Sequence, residues 1–550
     1  MAKRYRPVDR DQPFLFPPDM REWLAEDHPV WLVIRVVEDH MDTSAFHAGR
    51  KTGGAGTAGY DPDMLVTVLV WAYEHGVTSS REMERLCRTD VAFRVICAGN
   101  LPDHATFARF RGDFAGAAGE FFGQVLVLCA RLGMGKLGVV ALDGMKIAAN
   151  ASKAANRTEE GLRKLAGEAV AAHAAADAAE DALSGAGRRG DEVPEAAWSP
   201  RSRDERIAAA LADLEAERRA AEEAEAARAE TFRARQRSGQ RTGPAPKHAA
   251  VALAEENLAR VTAAQQARID DWEARNAASL AGTGKPLRYP PRRPASEHCR
   301  VRAAAAKAEA ARARAAEAER KAAEQEKNRK DPGPVRNITD PDSRLMPVRG
   351  GGFIQGYNAE NMTSEDELII ATELTGDPTD MAWFEPMLRQ AEQAAALIEA
   401  HRPASAGREQ DGTRQDGGGI GLALADCGYC SEANLTCPGP DRLIAVGKHR
   451  DLEKAARGQD AGGRDRGGPA TTAMRERLKT EDGIAAYRQR GHIAETPHGH
   501  IKHNMGIRQL SVRGKPSASA EWKFICAVHN LFKALSAGRL TSQALAALAS

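Results

Sequence analysis

Three acidic residues stand in settings where acids are uncommon. Asp143 interrupts the apolar, β-branched run Leu137-Gly138-Val139-Val140-Ala141-Leu142, which reads as a central strand. A carboxylate is seldom fully buried in such a strand unless it is paired or binds a metal. The alternative places Asp143 just past the strand end, in a turn with Gly144. Asp426 ends a second apolar run, Ile420-Gly421-Leu422-Ala423-Leu424-Ala425. If the two strands are neighbours, their carboxylates lie side by side and repel unless a cation neutralises them. Hard oxygen ligands suit Mg²⁺, and two such ions about 3.5–4 Å apart can stabilise the attacking and leaving oxygens of phosphodiester cleavage. Glu495 is nearly the only acid in the basic stretch 487–504, and Lys502 follows seven residues on, two helical turns along nearly the same face. One side chain can then bind metal while the other grips a phosphate. Around them Arg490, His498, His500, Arg508, Arg513 and Lys515 form an expected positive groove for a DNA backbone.

The elements that must position these residues are legible in the apolar pattern. Strands are expected at 352–358 and 367–374, pairing as a hairpin, then a helix over 380–401 and strands at 420–426 and 443–446. With the strand around Asp143 these make a mixed five-stranded α/β layer. Residues 137–152 supply its first strand, 153–334 form a long insertion, and 335–550 complete the layer. The insertion is rich in Ala, Glu and Arg and poor in large apolar residues, so it reads as solvated helical hairpins or coiled coil, broken at 239–246 and 286–294. Basic stretches at 233–241 and 288–302 could touch DNA, but a merely solvated charged face is the stronger reading.

Residues 1–136 read as an all-α domain, with helices at 17–27, 30–39, 62–75, 80–88, 90–97, 103–111 and 115–132. The segments 79–84 and 102–111 resemble a helix-turn-helix with Asp103 as N-cap. The second helix would offer His104, Thr106, Arg109 and Arg111 to phosphates and base edges. The plainer reading is a bundle that packs on the next domain.

The whole-chain balance of 77 Lys+Arg against 76 Asp+Glu leaves a net charge of +1, so any nucleic-acid surface must come from local clustering. The N-terminus lacks a secretory apolar stretch and the eight cysteines are dilute, which suits reduced thiols in a cytoplasmic, nucleoid-associated protein. Cys427, Cys430 and Cys437, with His449, invite a zinc reading, but the first directly follows a strand-end aspartate that has its own explanation. His498, His500 and His503 could be metal ligands too, yet a basic DNA-facing surface explains them with less. The Gly- and Arg-rich loop 449–468 reads as mobile. Gly350-Gly351-Gly352 lacks the Lys and Ser/Thr of a nucleotide loop, so no nucleotide cofactor is expected.

In ordered combination, Ala141-Leu142-Asp143-Gly144, Leu424-Ala425-Asp426-Cys427-Gly428-Tyr429 and Tyr487-x2-Arg490-x4-Glu495-x6-Lys502 resemble the DDE transposases of bacterial insertion sequences. The resemblance is to the group numbered eleven-eighty-two within the wider group five. Ser343-Arg344-Leu345-Met346 and Gly356-Tyr357-Asn358 resemble that group's second-strand region, and the similarity runs from Phe14 to about Leu535. It implies a ribonuclease H-like catalytic domain with Asp143, Asp426 and Glu495 as the triad binding Mg²⁺, for which Mn²⁺ substitutes. It also implies an N-terminal domain that binds the element's terminal inverted repeats. Double-stranded DNA, as transposon ends and target, would be the partner. Metal-activated water would cut at the ends, and a freed 3′-hydroxyl would attack target DNA, with a homodimer holding two ends together. Tyr487, Arg490 and Lys502 would hold terminal phosphates and any extruded base.

Three residues after Glu495 the family usually has an aromatic, whereas here Pro497 and His498 occupy that region. An interior proline costs a helix on the order of 3 kcal/mol, so the expectation is a helix beginning near Glu495, with Tyr487 and Arg490 on a preceding segment. Two other readings compete with the enzyme. A decayed element copy would be a catalytically inactive DNA-binding or assembly protein, against which the presence of all three acids argues. A coiled-coil scaffold would explain the insertion but not the carboxylate-bearing strands.

Overall fold

The β-branched and apolar residues that open Val139–Ala148 form a strand, β1, at the centre of a six-stranded sheet. The computed structural model describes residues 19–47, 59–113, 116–168, 203–238, 240, 245–246, 249–291, 294–327, 334–348, 351–403, 419–447 and 467–549. After β1 come the short strands β2 (Asn156–Thr158) and β3 (Val335–Asn337), which pair with each other, and β4 (Arg344–Pro347). They are followed by β5 (Phe353–Ser364), β6 (Ile369–Thr375), β7 (Leu422–Ala425) and β8 (Asp441–Ile444). The main sheet runs β4-β5-β1-β7-β8, and β6 also pairs with β5. β5 pairs antiparallel with both β1 and β6, whereas β7 pairs parallel with β1 and β8 parallel with β7.

The parallel side is buried, as its apolar sequences require: Ala423, Leu424, Ala425, Leu443 and Ile444 are all within 1% exposure. On the antiparallel side the sheet is drawn tight at Gly356, paired with Ala148, where a Cβ would collide with the Ile147 carbonyl. The expected hairpin between residues 352 and 374 forms, with β5 longer than its apolar pattern suggested and Glu367 turning the chain at φ +65°. Arg344–Met346, which resembled a second-strand region, lie in the short β4, whereas β2 was not foreseen, because three residues are too few to display a period.

Two helices pack on this sheet. Phe384–His401 places Phe384, Met387, Leu388, Ala391, Ala395 and Ile398 in the core at the spacing of one helical face. Glu481–Gly499 lays Tyr487, Ile493 and Ala494 against Ala141, Leu424 and Leu443. A third helix, Lys515–Ser536, is buried along most of its length. It joins the sheet to the N-terminal helices through a stacked pair, Phe121 and Phe524, with centroids 5.2 Å apart.

Those N-terminal helices are Pro29–His40, the one-turn Ser44–His47, Pro62–Glu74, Ser80–Thr89, Val91–Ile96, His104–Asp113 and Ala118–Arg131. Capping fixes several starts: Asp90 accepts from Phe93 N at 3.1 Å and Asp103 from Thr106 N at 2.7 Å. The helix expected over 17–27 is reduced, among the described residues, to one turn, Met20–Glu22. Pro29 opens the next helix and holds His28 extended, which stops a helix from running through.

Among the described residues, those within 1–156 and 336–550 make one compact unit and those within 157–335 a second. Within the first, the chain leaves at Asn156 and returns at Asn337, whose side-chain amides bond at 3.1 Å. The second unit contains the long helices Arg203–Arg237, Ala250–Thr283 and Cys299–Lys327. Its buried positions are few, and charged pairs such as Arg233–Glu256 at 2.8 Å link neighbouring helices. Of the basic stretches, Arg233 is thus paired within the unit, while positions 239, 241 and 292–293 lie outside the described residues. Among the described residues no helix is long and apolar enough to cross a membrane.

Candidate active site

Asp143 and Asp426 become neighbours through strand register. β1 and β7 run parallel with Leu142 opposite Ala425, and each aspartate is the next residue along its chain. Asp143 lies within β1, not in a turn beyond it, and its side chain retains 20% exposure. Burial alone would raise its pKa, yet His498 and Arg490 hold the carboxyl below its ordinary range. His498 Nδ1 lies 3.7 Å from Oδ2 and Arg490 Nη1 lies 3.9 Å from Oδ1. Asp426 caps the following turn by accepting from Gly428 N at 2.8 Å. Burial pushes its carboxyl up, and the negative charge of Asp143 adds to the rise.

Two hard carboxylate donors forced together, with the repulsion expressed in Asp426, fit a divalent cation. The same surroundings also suit an anion. Arg490 Nη1 is buried without a hydrogen-bond partner, and the Tyr487 hydroxyl bonds the same guanidinium. Lys502 is half-buried, and burial lowers its ammonium against the opposing pull of Asp143.

The helix carrying these cations departs from expectation. It begins at Glu481, where Thr480 caps Gly483 N at 3.0 Å, and runs unbroken through Pro497 to Gly499. Tyr487 and Arg490 therefore share one helix with Glu495 instead of lying on a preceding segment. Packing against the sheet holds the helix together, and Pro497 sits two residues from its end. Proline cannot donate the helical bond to Ile493, and the chain loosens to π geometry over His500–Asn504. That wider turn undoes the simple seven-residue spacing. Lys502 comes near Asp143, while Glu495 is exposed and makes no hydrogen bond or ion pair among the described residues.

The two histidines assigned to a positive groove are also turned inward, because the helix face bearing them packs on the sheet. His498 is buried, with Nε2 3.0 Å from Asn361 Nδ2. Asn361 Oδ1 in turn accepts from Thr372 Oγ1 at 2.5 Å, and Thr372 Oγ1 accepts from Trp522 Nε1 at 2.8 Å. His500 meets His529 ring to ring, Nδ1 to Nδ1 at 3.1 Å. His503, Arg508 and Arg513 remain exposed, and Lys515 is half-buried.

On the N-terminal helices Arg109 faces solvent. Arg111 turns inward and donates to Thr78 O at 2.6 Å, to Ser511 Oγ at 2.9 Å and to Ser80 Oγ. Its guanidinium braces the fold at the position where the sequence suggested a DNA contact. Cys427, Cys430 and Cys437 form no three-ligand cluster, and Cys437 Sγ accepts from Arg442 at 2.5 Å. His449 and most of the loop 449–468 lie outside the described residues. Among those residues, one trio of His, Cys, Asp or Glu has ligand atoms all within 4.8 Å of one another: His47, Asp61 and Asp63, where Asp61 also caps Asp63 N.

Sequence reasoning missed a second polar group beside the aspartates. Asp380 accepts from Lys146 Nζ at 3.0 Å and from Asn358 Nδ2 at 2.7 Å, while Asn358 Nδ2 also reaches Glu360 Oε1 at 2.5 Å. Tyr429 donates to the other oxygen of Glu360. Burial pushes the fully enclosed Glu360 carboxyl up to about 8. The available signal was the run Asn358-Ala359-Glu360-Asn361, which places polar residues on both faces of a strand that has none to spare for solvent.

Two stretches match known family models. Residues 18–113 match the family described as Transposase domain (DUF772), and residues 464–535 match Transposase DDE domain. The second covers the helix bearing Tyr487, Arg490, His498 and Glu495. No curated protein and no solved structure matches the chain.

Proposed function

Taking the chain as a DDE transposase of an insertion sequence, the family to which its two matches assign it, we propose that it cuts DNA at the ends of its element and joins them to target DNA. One observation carries this reading: Asp143 and Asp426 occupy matched positions on adjacent parallel strands, with basic side chains closing on Asp143. The sheet order β6-β5-β1-β7-β8, antiparallel on one side of β1 and parallel on the other, supports a ribonuclease H-like catalytic domain. The group numbered eleven-eighty-two remains the one its motifs resemble.

Asp143 and Asp426 would hold the metal, Mg²⁺ or in its place Mn²⁺, with Glu495 as the third acid of the triad. Such an ion, when bound, supplies an activated water and stabilises the leaving oxygen. The chain's own residues do the positioning. Arg490, steadied by Tyr487, would offer Nη1, which has no hydrogen-bond partner of its own, to a phosphate oxygen beside Asp143. Lys502 adds a point charge on the same side. Arg109 and the exposed Arg508 and Arg513 supply backbone contacts along a duplex, and two copies of the chain would hold two ends.

The test is incubation of the full chain with a labelled duplex carrying its element's end, in Mg²⁺ or Mn²⁺, beside Asp143→Asn and Asp426→Asn. Metal-dependent cutting at the end, reduced on the order of 10³-fold or more in either variant, is expected. Binding without cutting by all three proteins in both metals would instead identify an inactive DNA-binding protein.

A further inference from the structure

A row of polar side chains crosses the buried sheet beneath His498. Asp143, Asn361 and Thr372 lie on β1, β5 and β6, each the register partner of the next. Trp522 closes one end of the row, and His498 bridges Asn361 and Asp143 at the other. Asn361, Thr372 and Trp522 are at most 2% exposed, so these groups have little but one another to bond.

The direction of every bond in the row follows from its far end. An indole N–H can only donate, so Thr372 Oγ1 accepts from Trp522 Nε1 at 2.8 Å. Cys526 Sγ is a second, weaker donor to the same oxygen at 3.7 Å. Thr372 has one proton of its own to give, and the Asn361 side chain stands 2.5 Å away. That separation suits O–H···O and is too short for N–H···O, so Asn361 turns its carbonyl oxygen to Thr372. Its amide nitrogen then faces His498 Nε2 at 3.0 Å. An amide N–H needs an acceptor, and a ring nitrogen accepts only when it carries no proton. The ring proton therefore sits on Nδ1, the nitrogen 3.7 Å from Asp143 Oδ2. With the proton on Nε2 instead, two N–H groups would oppose each other in the interior and a nitrogen lone pair would face the carboxylate. The 3.7 Å gap is longer than a closed hydrogen bond, and such contacts commonly tighten once a ligand occupies the site.

We propose that His498 is a positioning residue for Asp143: its Nδ1–H is a permanent donor toward Oδ2, and the ring serves neither as a ligand of the cation nor as a base. This role rests on the reading of Asp143 and Asp426 as the cation site. The one lone pair of the ring is spent on Asn361, so His498 has no acceptor left to bind a cation or to take a proton from water. What remains is to hold one carboxylate oxygen still, as the outer partners of metal ligands do.

The experiment uses the full chain with nitrogen-15 in its histidine rings, free of metal and DNA, and records long-range proton–nitrogen correlations. Among the fifteen histidines, His498 is identified by the signals absent from His498→Phe. Nδ1 should carry the proton and Nε2 none. Asn361→Asp, equal in shape but with an acceptor in place of the amide, should bring a proton to Nε2. A parent ring protonated on Nε2, or on both nitrogens, overturns the proposal, as does an Nε2 that stays without a proton in Asn361→Asp. A Mn²⁺ titration read by electron paramagnetic resonance, with melting curves on the same samples, measures the consequence. Outer partners of metal ligands typically change affinity about 10–100-fold, so His498→Phe should weaken Mn²⁺ about tenfold or more. Parent-like affinity in a folded His498→Phe overturns the proposal, and so does a nitrogen coupling to bound Mn²⁺ that this variant loses. If Asp143→Asn and Asp426→Asn bind Mn²⁺ as the parent does, the cation site fails and the positioning role with it, whatever the ring spectrum shows. Should His498→Phe melt early, His498→Leu is read in its place.

Discussion

His498 joins Asp143 to Asn361: its Nδ1 lies 3.7 Å from the carboxylate and its Nε2 lies 3.0 Å from the amide, across a strand pair in which Asp143 and Asn361 are direct partners. Which ring nitrogen carries a proton is thus governed by a network that continues through Thr372 to Trp522.

Removing the far end of that link tests it. Asn361→Ala leaves the His498 ring and the Thr372 hydroxyl without their partner in the interior, at a cost of about 1–3 kcal/mol in urea unfolding. Loss of a group that orients a site residue should also lower end cleavage by about 10–100-fold. Unchanged cleavage in a destabilised variant would show that His498 needs no fixing.

Lys502 is expected to act on DNA as a single charge. Lys502→Met should weaken duplex binding irrespective of sequence and reduce the slope of log affinity against log salt by about 1. A filter-binding series in NaCl measures it, and an unaltered slope would place Lys502 away from the phosphates.

Glu74 gives the fold a pH dependence with a definite sign. Burial pushes this carboxyl up to about 8, and one of its oxygens has no hydrogen-bond partner. A folded pKa above the unfolded one means full stability below the unfolded value of 4.5 and progressive loss as pH climbs toward 8. Glu74→Gln has no such charge to bury. The variant's stability relative to the parent should therefore improve between pH 5 and pH 8, by at most about 1.4 kcal/mol per pH unit. His529, which burial depresses to about 3, contributes the opposite slope below 6.5 in both proteins and cancels in the comparison.

Gly356→Ala probes the sheet itself. A methyl group there meets the Ile147 carbonyl across the β1–β5 pair, so backbone must move. The expected loss is about 3 kcal/mol, toward the upper end for overpacking. Thermal melting read by circular dichroism measures it, and a parent-like midpoint would mean that the strands can part without penalty.

The apolar runs around Leu142, Leu424 and Leu443 display their strands because both faces are buried, and each aspartate is conspicuous against them. The helix Phe384–His401 is equally plain from its period. Other features depend on partners that a linear reading does not contain. The run from Tyr487 to Lys502 is helical, but its rotation over the sheet decides that His498 meets Asp143 and that Glu495 faces outward. Pro497 argued for a break that packing against Ala141 and Leu424 overrides. Asp380 and Glu360 looked like ordinary acids because their company, Lys146, Asn358 and Tyr429, is gathered from three separate segments.

The clasp between Asn156 and Asn337 has a consequence for how the chain is made. β1 leaves the ribosome about 200 residues before β5, its antiparallel partner, a delay on the order of 10–40 s at ordinary translation rates. During that interval the nascent strand has an apolar edge and one carboxylate, Asp143, with no mate. The Ala-rich helices that emerge next need only local contacts to form, which proceeds in microseconds. Folding of the sheet is thereby postponed until the insertion has been made, and the aspartates meet only after β7 has followed.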